Sequence, residues 1–500
     1  MLSIVLMNKC KNIKKIGYYG IPILLLFLII MSAFHKTVWV DETYSLSIIN
    51  HSYIEMLRLA TMDVHPPLYY LLLKFIVDIF KPFINCIYIG KIISTIPYFI
   101  IMIIGFTFIK RKYGETVSFL FNICILGMPR MFESASEIRM YSWSTLFVFC
   151  TFIFACNLLE SDIDNNNHNY IFLTIFATLS SYTHYFACAS AIIIYIYIIF
   201  ITFSKKEFKK ISKIFLSGIF VCILYLPWLF TFLNQVLKVT NNYWIQPLTI
   251  HSIINSILFF SQFNDNYIFF NLTGIVIFIV IMGIIGIFLN KKDKTAIFAI
   301  IVYGGTIFLG VTLSILIRPI FISRYILPSM ACFWLSITIG LCNIFKNIKY
   351  KELIIIFISI VCIICNYLYF EKEKTNDYYM INTIETIEKN MNDNTTIIIN
   401  NSHLQRVFAY FYPNNEIILM GEDIEDKHLT LKVYNQCKLT DCNNLNELKK
   451  DKSNILILDT NGNLFKELRN MNYSIEKIVT CNFPSNEFGV DPIQLLKINK

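Results

Sequence analysis

Charge is scarce in this 500-residue chain: 15% of its residues are charged and 56% are hydrophobic, where a soluble globular protein would carry about 25% charged residues. Glycine, at 17 residues, has about half its usual share. This composition excludes disordered and collagen-like chains. Cysteine offers no zinc spacing, and most of the 14 cysteines, among them Cys124, Cys156, Cys332 and Cys362, lie inside apolar runs as small hydrophobes. A cysteine-stapled secreted fold is therefore excluded as well. Cys437 and Cys442 in the tail could close a small disulfide loop, with two free thiols the stronger reading. No glycine-rich phosphate loop and no internal repeat occur.

What the chain does contain is long apolar runs, so its solvent is the lipid bilayer. A span needs about 20 apolar residues to cross roughly 30 Å of hydrocarbon. Runs of that kind fall near 17–34, 84–109, 115–130, 141–159, 170–184, 186–203, 212–231, 267–289, 296–317, 325–345 and 352–370, about eleven transmembrane helices with the fifth the shortest. The first follows Lys9, Lys11, Lys14 and Lys15 without a small-residue cleavage site and reads as an uncleaved anchor. The net charge of +9 comes from clusters between runs: Lys110-Arg111-Lys112, Lys205 to Lys213, Lys291 to Lys294 and Lys346 to Lys351. Such clusters mark cytoplasmic loops and not a nucleic-acid surface. The loop around Asp162 and Asp164 is the acidic exception on that side.

With the N-terminus in the cytoplasm, the outer face receives a first loop at 35–83, short and longer loops at 131–140 and 232–266, and a tail. In the first loop Ser52-x-x-Glu55 is a capping box that opens a short helix. His65-Pro66-Pro67 must be extended, and Pro67 can start a second helix over Leu68 to Phe80. A third amphipathic segment starts at Ile250. The tail, 371–500, alternates a helix-like stretch at 377–391 with β-branched runs at Thr395 to Ile399 and Ile455 to Leu458, the pattern of a small α/β domain.

Charged groups at membrane depth cost several kcal/mol unless they face protein or water, and here they gather on the outer side. Asp41 and Glu42 follow the first span; Asp63 and His65 sit in the proline corner; Glu133, Glu137 and Arg139 lie at the turn between the third and fourth spans; Arg324 stands at the mouth of the tenth. An isolated Asp-Glu pair is ordinarily a hydrated loop start. Adjacent side chains face different ways, so one of Asp41 and Glu42 could serve as a base while the other holds a substrate or structural cation. Glu133 and Glu137, i and i+4 on a helix, would repel unless Arg139 or a metal lay nearby. Arg324-Tyr325 reads either as an interfacial anchor or as a fork for a lipid-linked phosphate. His184-Tyr185 is a weaker candidate.

Four segments carry a resemblance. Trp39-Val40-Asp41-Glu42-Thr43-Tyr44-Ser45-Leu46, Asp63-Val64-His65-Pro66-Pro67-Leu68-Tyr69-Tyr70, Glu137-Ile138-Arg139-Met140-Tyr141 and Arg324-Tyr325-Ile326-Leu327-Pro328 resemble bacterial members of glycosyltransferase family 39. These are polytopic GT-C membrane enzymes, related to protein O-mannosyltransferases and to the lipid A aminoarabinose transferase. The motifs keep the family's order across roughly 35–330 and do not extend into the tail. The resemblance implies a GT-C catalytic domain at 1–370, a polyprenyl- or dolichyl-phosphate sugar donor, transfer on the outer face of the cell membrane to a glycan, glycolipid or protein hydroxyl, and the first-loop Asp as base. Asp41 would then be the base. Arg324, with Arg139 or a divalent cation, would neutralise the phosphate. Glu42, Asp63, His65, Glu137, Tyr141 and Tyr325 would line the pocket, with 371–500 an extracytoplasmic α/β domain. A polysaccharide polymerase or ligase, or a lipid-linked sugar transporter or flippase, is the rival. A transporter would place charges or broken helices near the midplane in two related halves, whereas the span interiors here hold almost no charges and the halves do not match.

Overall fold

The computed structural model describes residues 2–160, 167–241, 245–262, 267–290, 293–346, 348–424, 426–435, 437–442, 454–471, 474–484 and 490–499. Asp162, Asp164, Lys291 and Lys292 lie outside the described residues.

All eleven apolar runs are helical. Eight helices are long and apolar enough to cross a membrane: Cys86–Tyr113, Tyr141–Glu160, Tyr185–Ser204, Phe208–Val239, Leu272–Leu289, Lys294–Leu316, Ser323–Phe345 and Lys351–Lys389. The chain is therefore a multi-pass membrane protein. The other three expected spans are shorter: the apolar helices Ile16–Ser32 and Glu115–Gly127, and Asn167–Thr183 with 17 residues. Glu115–Gly127 stops early because Met128 precedes Pro129 and is extended, with ψ 151°.

Two compact units divide the chain, and the division is interleaved. The first comprises 1–33, 64–69 and 92–369, and the second 34–63, 70–91 and 370–500. In the first unit, helices Tyr141–Glu160 and Ser323–Phe345 are the most enclosed. Helices Tyr267–Leu289 and Met330–Phe345 approach so closely that a β-carbon at Gly286 would collide with the Gly340 carbonyl, and one at Gly340 with that of Gly283. Small residues at such a crossing allow backbones to pack where lipid provides no hydrophobic drive. The buried Asn366 amide ties its helix to the Leu126 carbonyl at 2.8 Å.

The second unit contains the expected helices Tyr53–Met62, capped by Ser52 accepting from the Glu55 amide, and Leu68–Phe80. The tail folds as a six-stranded sheet: β1 Thr396–Ile399, β2 Glu416–Met420, β3 Lys438–Cys442, β4 Ile455–Asp459, β5 Ser474–Pro484 and β6 Val490–Asn499, in the order β3-β2-β1-β4-β6-β5. β3, β2, β1 and β4 are parallel, and β6 and β5 add an antiparallel edge. Ile397, Ile398 and Ile399 are fully buried, as a parallel strand covered on both faces requires. Cys437 and Cys442 are free thiols, and Cys437 Sγ donates to the Ala409 carbonyl.

Three elements differ from the sequence reading. The seventh span runs on to Asn241, because nothing after Leu233 breaks the helix Phe208–Asn241. The last span and the first tail helix are one element, Lys351–Lys389. The segment after Trp39 is a helix, Val40–Ile48.

Candidate active site

The nine candidates fall into two sets, three in the second unit (Asp41, Glu42, Asp63) and six in the first (His65, Glu137, Arg139, Tyr141, Arg324, Tyr325).

In the second unit, Asp41 and Glu42 occupy the first turn of helix Val40–Ile48, where the free amides and the helix dipole favour carboxylates. Glu42 is buried and accepts from the Trp39 backbone N–H at 3.1 Å, which completes the helix start that the tryptophan side chain cannot cap. Asp41 lies 100° round the helix and is half-buried. The adjacent acids thus have different surroundings, as their adjacency implied. Asp63 ends helix Tyr53–Met62 in an extended conformation and accepts from the Tyr70 hydroxyl at 3.1 Å. Tyr44, one turn beyond Asp41, meets the Tyr70 ring edge-on at 6.5 Å. A pair of tyrosines therefore connects the Asp41 helix to Asp63.

In the first unit, Arg139 and His65 are both buried, and Arg139 Nη2 lies 2.8 Å from His65 Nε2. A guanidinium can only donate, so His65 Nε2 accepts and a neutral ring carries its proton on Nδ1. His184 caps helix Tyr185–Ser204, its Nδ1 accepting from the Phe186 N–H at 3.1 Å, which leaves Nε2 to donate. His184 then collects the other rings: His65 at 5.9 Å, Tyr141 at 5.6 Å and Tyr325 at 5.0 Å between centroids. Arg139 and Arg324 both act electrostatically on Tyr141 and His184, and Glu137 acts on Tyr141. Thr145, one turn after Tyr141, donates to the Leu327 carbonyl at 2.9 Å and so pins the turn that carries Arg324 and Tyr325 to the Tyr141 helix. The Tyr141 hydroxyl is buried and has no hydrogen-bond partner among the described residues.

His184 was the weaker candidate by sequence, and the fold makes it the hub of the aromatic group. Its position at a break between apolar runs was the available signal. The expected repulsion between Glu133 and Glu137 does not arise. Helix Met131–Ser136 ends before Glu137, whose ψ is 130°, and Glu133 pairs with Arg130 at 2.6 Å and not with Arg139. Arg130 adopts φ 62° and stacks its guanidinium over Phe259 at 5.1 Å, a left-handed backbone uncommon outside glycine. Among the described residues no three His, Cys, Asp or Glu side chains lie together as a group that could hold a metal ion.

No family model and no curated protein matches the chain. Solved structures do. ArnT from Cupriavidus metallidurans in the apo state is similar over 97% of this chain and 98% of its own, with a TM-score of 0.64 at 8% identity. The same protein bound to undecaprenyl phosphate is similar over 96% and 97%, with a TM-score of 0.61 at 9% identity. At such identity the likeness is one of fold alone, and it extends over nearly the whole of both chains.

Proposed function

We propose that this protein is a membrane glycosyltransferase that moves a sugar from a polyprenyl-phosphate donor to a hydroxyl acceptor on the outer face of the membrane. The observation that carries this reading is the buried group around Tyr141: two guanidiniums act on a phenol whose hydroxyl has no partner among the described residues. Such a group suits a phosphate dianion, which takes charge-assisted hydrogen bonds from arginine and one more from a hydroxyl. That a structure of like fold binds undecaprenyl phosphate supports a lipid-linked phosphate as the partner.

The chemistry balances with few groups. Asp41 takes the proton of the acceptor hydroxyl as that oxygen bonds to the anomeric carbon, and the bond from that carbon to the phosphate oxygen breaks with its electron pair leaving on the phosphate. Configuration at the anomeric carbon inverts. Polyprenyl phosphate departs with an added negative charge that Arg324 and Arg139 neutralise, so no acid is needed on the leaving oxygen. Tyr141 donates to the phosphate, His65 orients Arg139, and Asp63, Glu137 and Tyr325 bind substrate. Glu42 positions the Asp41 helix through its own backbone bond.

Mass spectrometry of polyprenyl-phosphate sugars and of surface glycans, with and without the protein, tests the reading. Loss of the protein should accumulate one lipid-phosphate sugar and remove one glycan or glycan substituent. An unchanged lipid pool contradicts it.

A further inference from the structure

Two helices of the tail, Ser402–Phe411 and Lys427–Val433, are built onto the one that carries Asp41. Helix Val40–Ile48 has nine residues, too few to hold itself together in water, where about 12–15 are needed for a marginal helix. Its rotation must be set from outside. Thr43 and Ser47, one turn apart, lie about 200° and about 240° round the helix from Asp41 and are both buried. The phenol of Tyr434 meets this face: its hydroxyl lies 3.3 Å from Thr43 Oγ1. Burial pushes the Tyr434 phenol up to about 12, so it keeps its proton at any physiological pH.

The residues around this contact support the same placement. The carbonyl of Val433, next to Tyr434, pairs with His51 Nε2 at 2.9 Å just beyond the helix. Helix Ser402–Phe411 packs along helix Val40–Ile48, and helix Lys427–Val433 packs on helices Val40–Ile48 and Tyr53–Met62. Lys74 donates to the Ile49 carbonyl at 2.9 Å, a cation at the C-terminal end of the same helix. Apolar packing alone would hold the helix without fixing its rotation, since it is non-directional. Directional bonds do fix it: a turn of one residue carries Thr43 away from the Tyr434 phenol, while the bond between His51 and the Val433 carbonyl holds the same two segments together.

We propose that the C-terminal sheet domain is a positioning device for the Asp41 helix, and that Tyr434 is the positioning residue, gripping Thr43 on the face turned away from Asp41. The inference rests on the reading of Asp41 as the base. It gives the domain a role in the turnover step, distinct from capture of the acceptor.

The test uses the full-length protein in nanodiscs, with the lipid extract of cells lacking the protein as donor pool and an envelope fraction of the same cells as acceptor. Tyr434→Phe removes one oxygen and keeps the ring. Its maximal rate of polyprenyl-phosphate release should fall about fivefold, the worth of one hydrogen bond, with half-saturating donor and acceptor unchanged. Hydrogen exchange should quicken across 40–48 and stay unchanged in the spans. Thr43→Val should reproduce the effect, and Thr43→Ser, which keeps a hydroxyl, should restore the rate. In an Asp41→Asn background Tyr434→Phe should cost nothing further, because it acts through Asp41. Unchanged rate and exchange in Tyr434→Phe, while Asp41→Asn is inactive, overturn the positioning role alone. A shift confined to half-saturating acceptor overturns it in favour of acceptor binding. Full turnover in Asp41→Asn overturns the base assignment beneath it.

Discussion

At the scale of single residues, the site depends on which charged groups have a partner suited to a phosphate. Arg324 is the sharpest case, since the sequence offered both an interfacial anchor and a phosphate fork. Its action on buried Tyr141 and His184 places it among protein groups. Arg324→Lys keeps the charge and loses the planar fork, so affinity for polyprenyl-phosphate lipid, measured by binding in nanodiscs, should fall about tenfold, near one lost charge-assisted bond. Arg324→Ala should lose more, and unchanged binding there would return the residue to an anchor. The different surroundings of Asp41 and Glu42 were legible, because neighbours on any regular backbone point apart. The cap that Glu42 provides was not, because the helix it caps was not foreseen. His184 was under-read for a similar reason: its importance lies in three rings from distant segments, which only the fold assembles.

At the scale of elements, the apolar runs were legible as helices, eight of them long enough among the described residues to cross a membrane, since hydrocarbon thickness sets a length that composition alone reveals. The loop helices Tyr53–Met62 and Leu68–Phe80 were legible from a serine cap and a proline start. Helix Val40–Ile48 was not, because Trp39 is no capping residue and tertiary contacts sustain the helix. One of the elements that holds it, helix Lys427–Val433, begins at Lys427, whose Nζ donates to both Asp441 oxygens at 2.6 and 2.7 Å. Those bonds hold the Asp441 carboxyl below its usual range. A depressed native value stabilises the fold above the unfolded carboxylate's ordinary value of about 3.9 and loses that contribution as pH falls through the native value. Lys427 is largely exposed, so the pair is worth under about 1 kcal/mol. Exchange across 427–433, corrected for intrinsic rates, should therefore quicken by no more than about fivefold as pH drops below about 4. Asp441→Asn should show the faster exchange already at neutral pH and flatten this response; an unaltered pH response in that variant would remove the pair from the account.

At the scale of the whole molecule, the order of motifs along the chain led to the GT-C expectation, and the fold agrees with it over nearly the full length at 8% identity. The interleaving of the units was hidden, because a linear reading divides a chain at one point while this chain passes between units after residues 33, 63, 69, 91 and 369. Orientation follows from the lysine clusters: a reporter active only in the cytoplasm, fused after Lys500, should stay silent, and activity there would mean an even number of crossings. The central claim is transfer from a polyprenyl-phosphate donor with Asp41 as base. Its most direct measurement is mass spectrometry of donor lipid incubated with acceptor and either purified wild-type protein or Asp41→Asn, the latter shown to be folded and to bind donor. Wild type should convert the lipid-phosphate sugar to polyprenyl phosphate in an acceptor-dependent way, with Asp41→Asn slower by about 10²–10⁴, the range for a positioned acid–base group. No conversion by wild type, or equal conversion by Asp41→Asn, would contradict it.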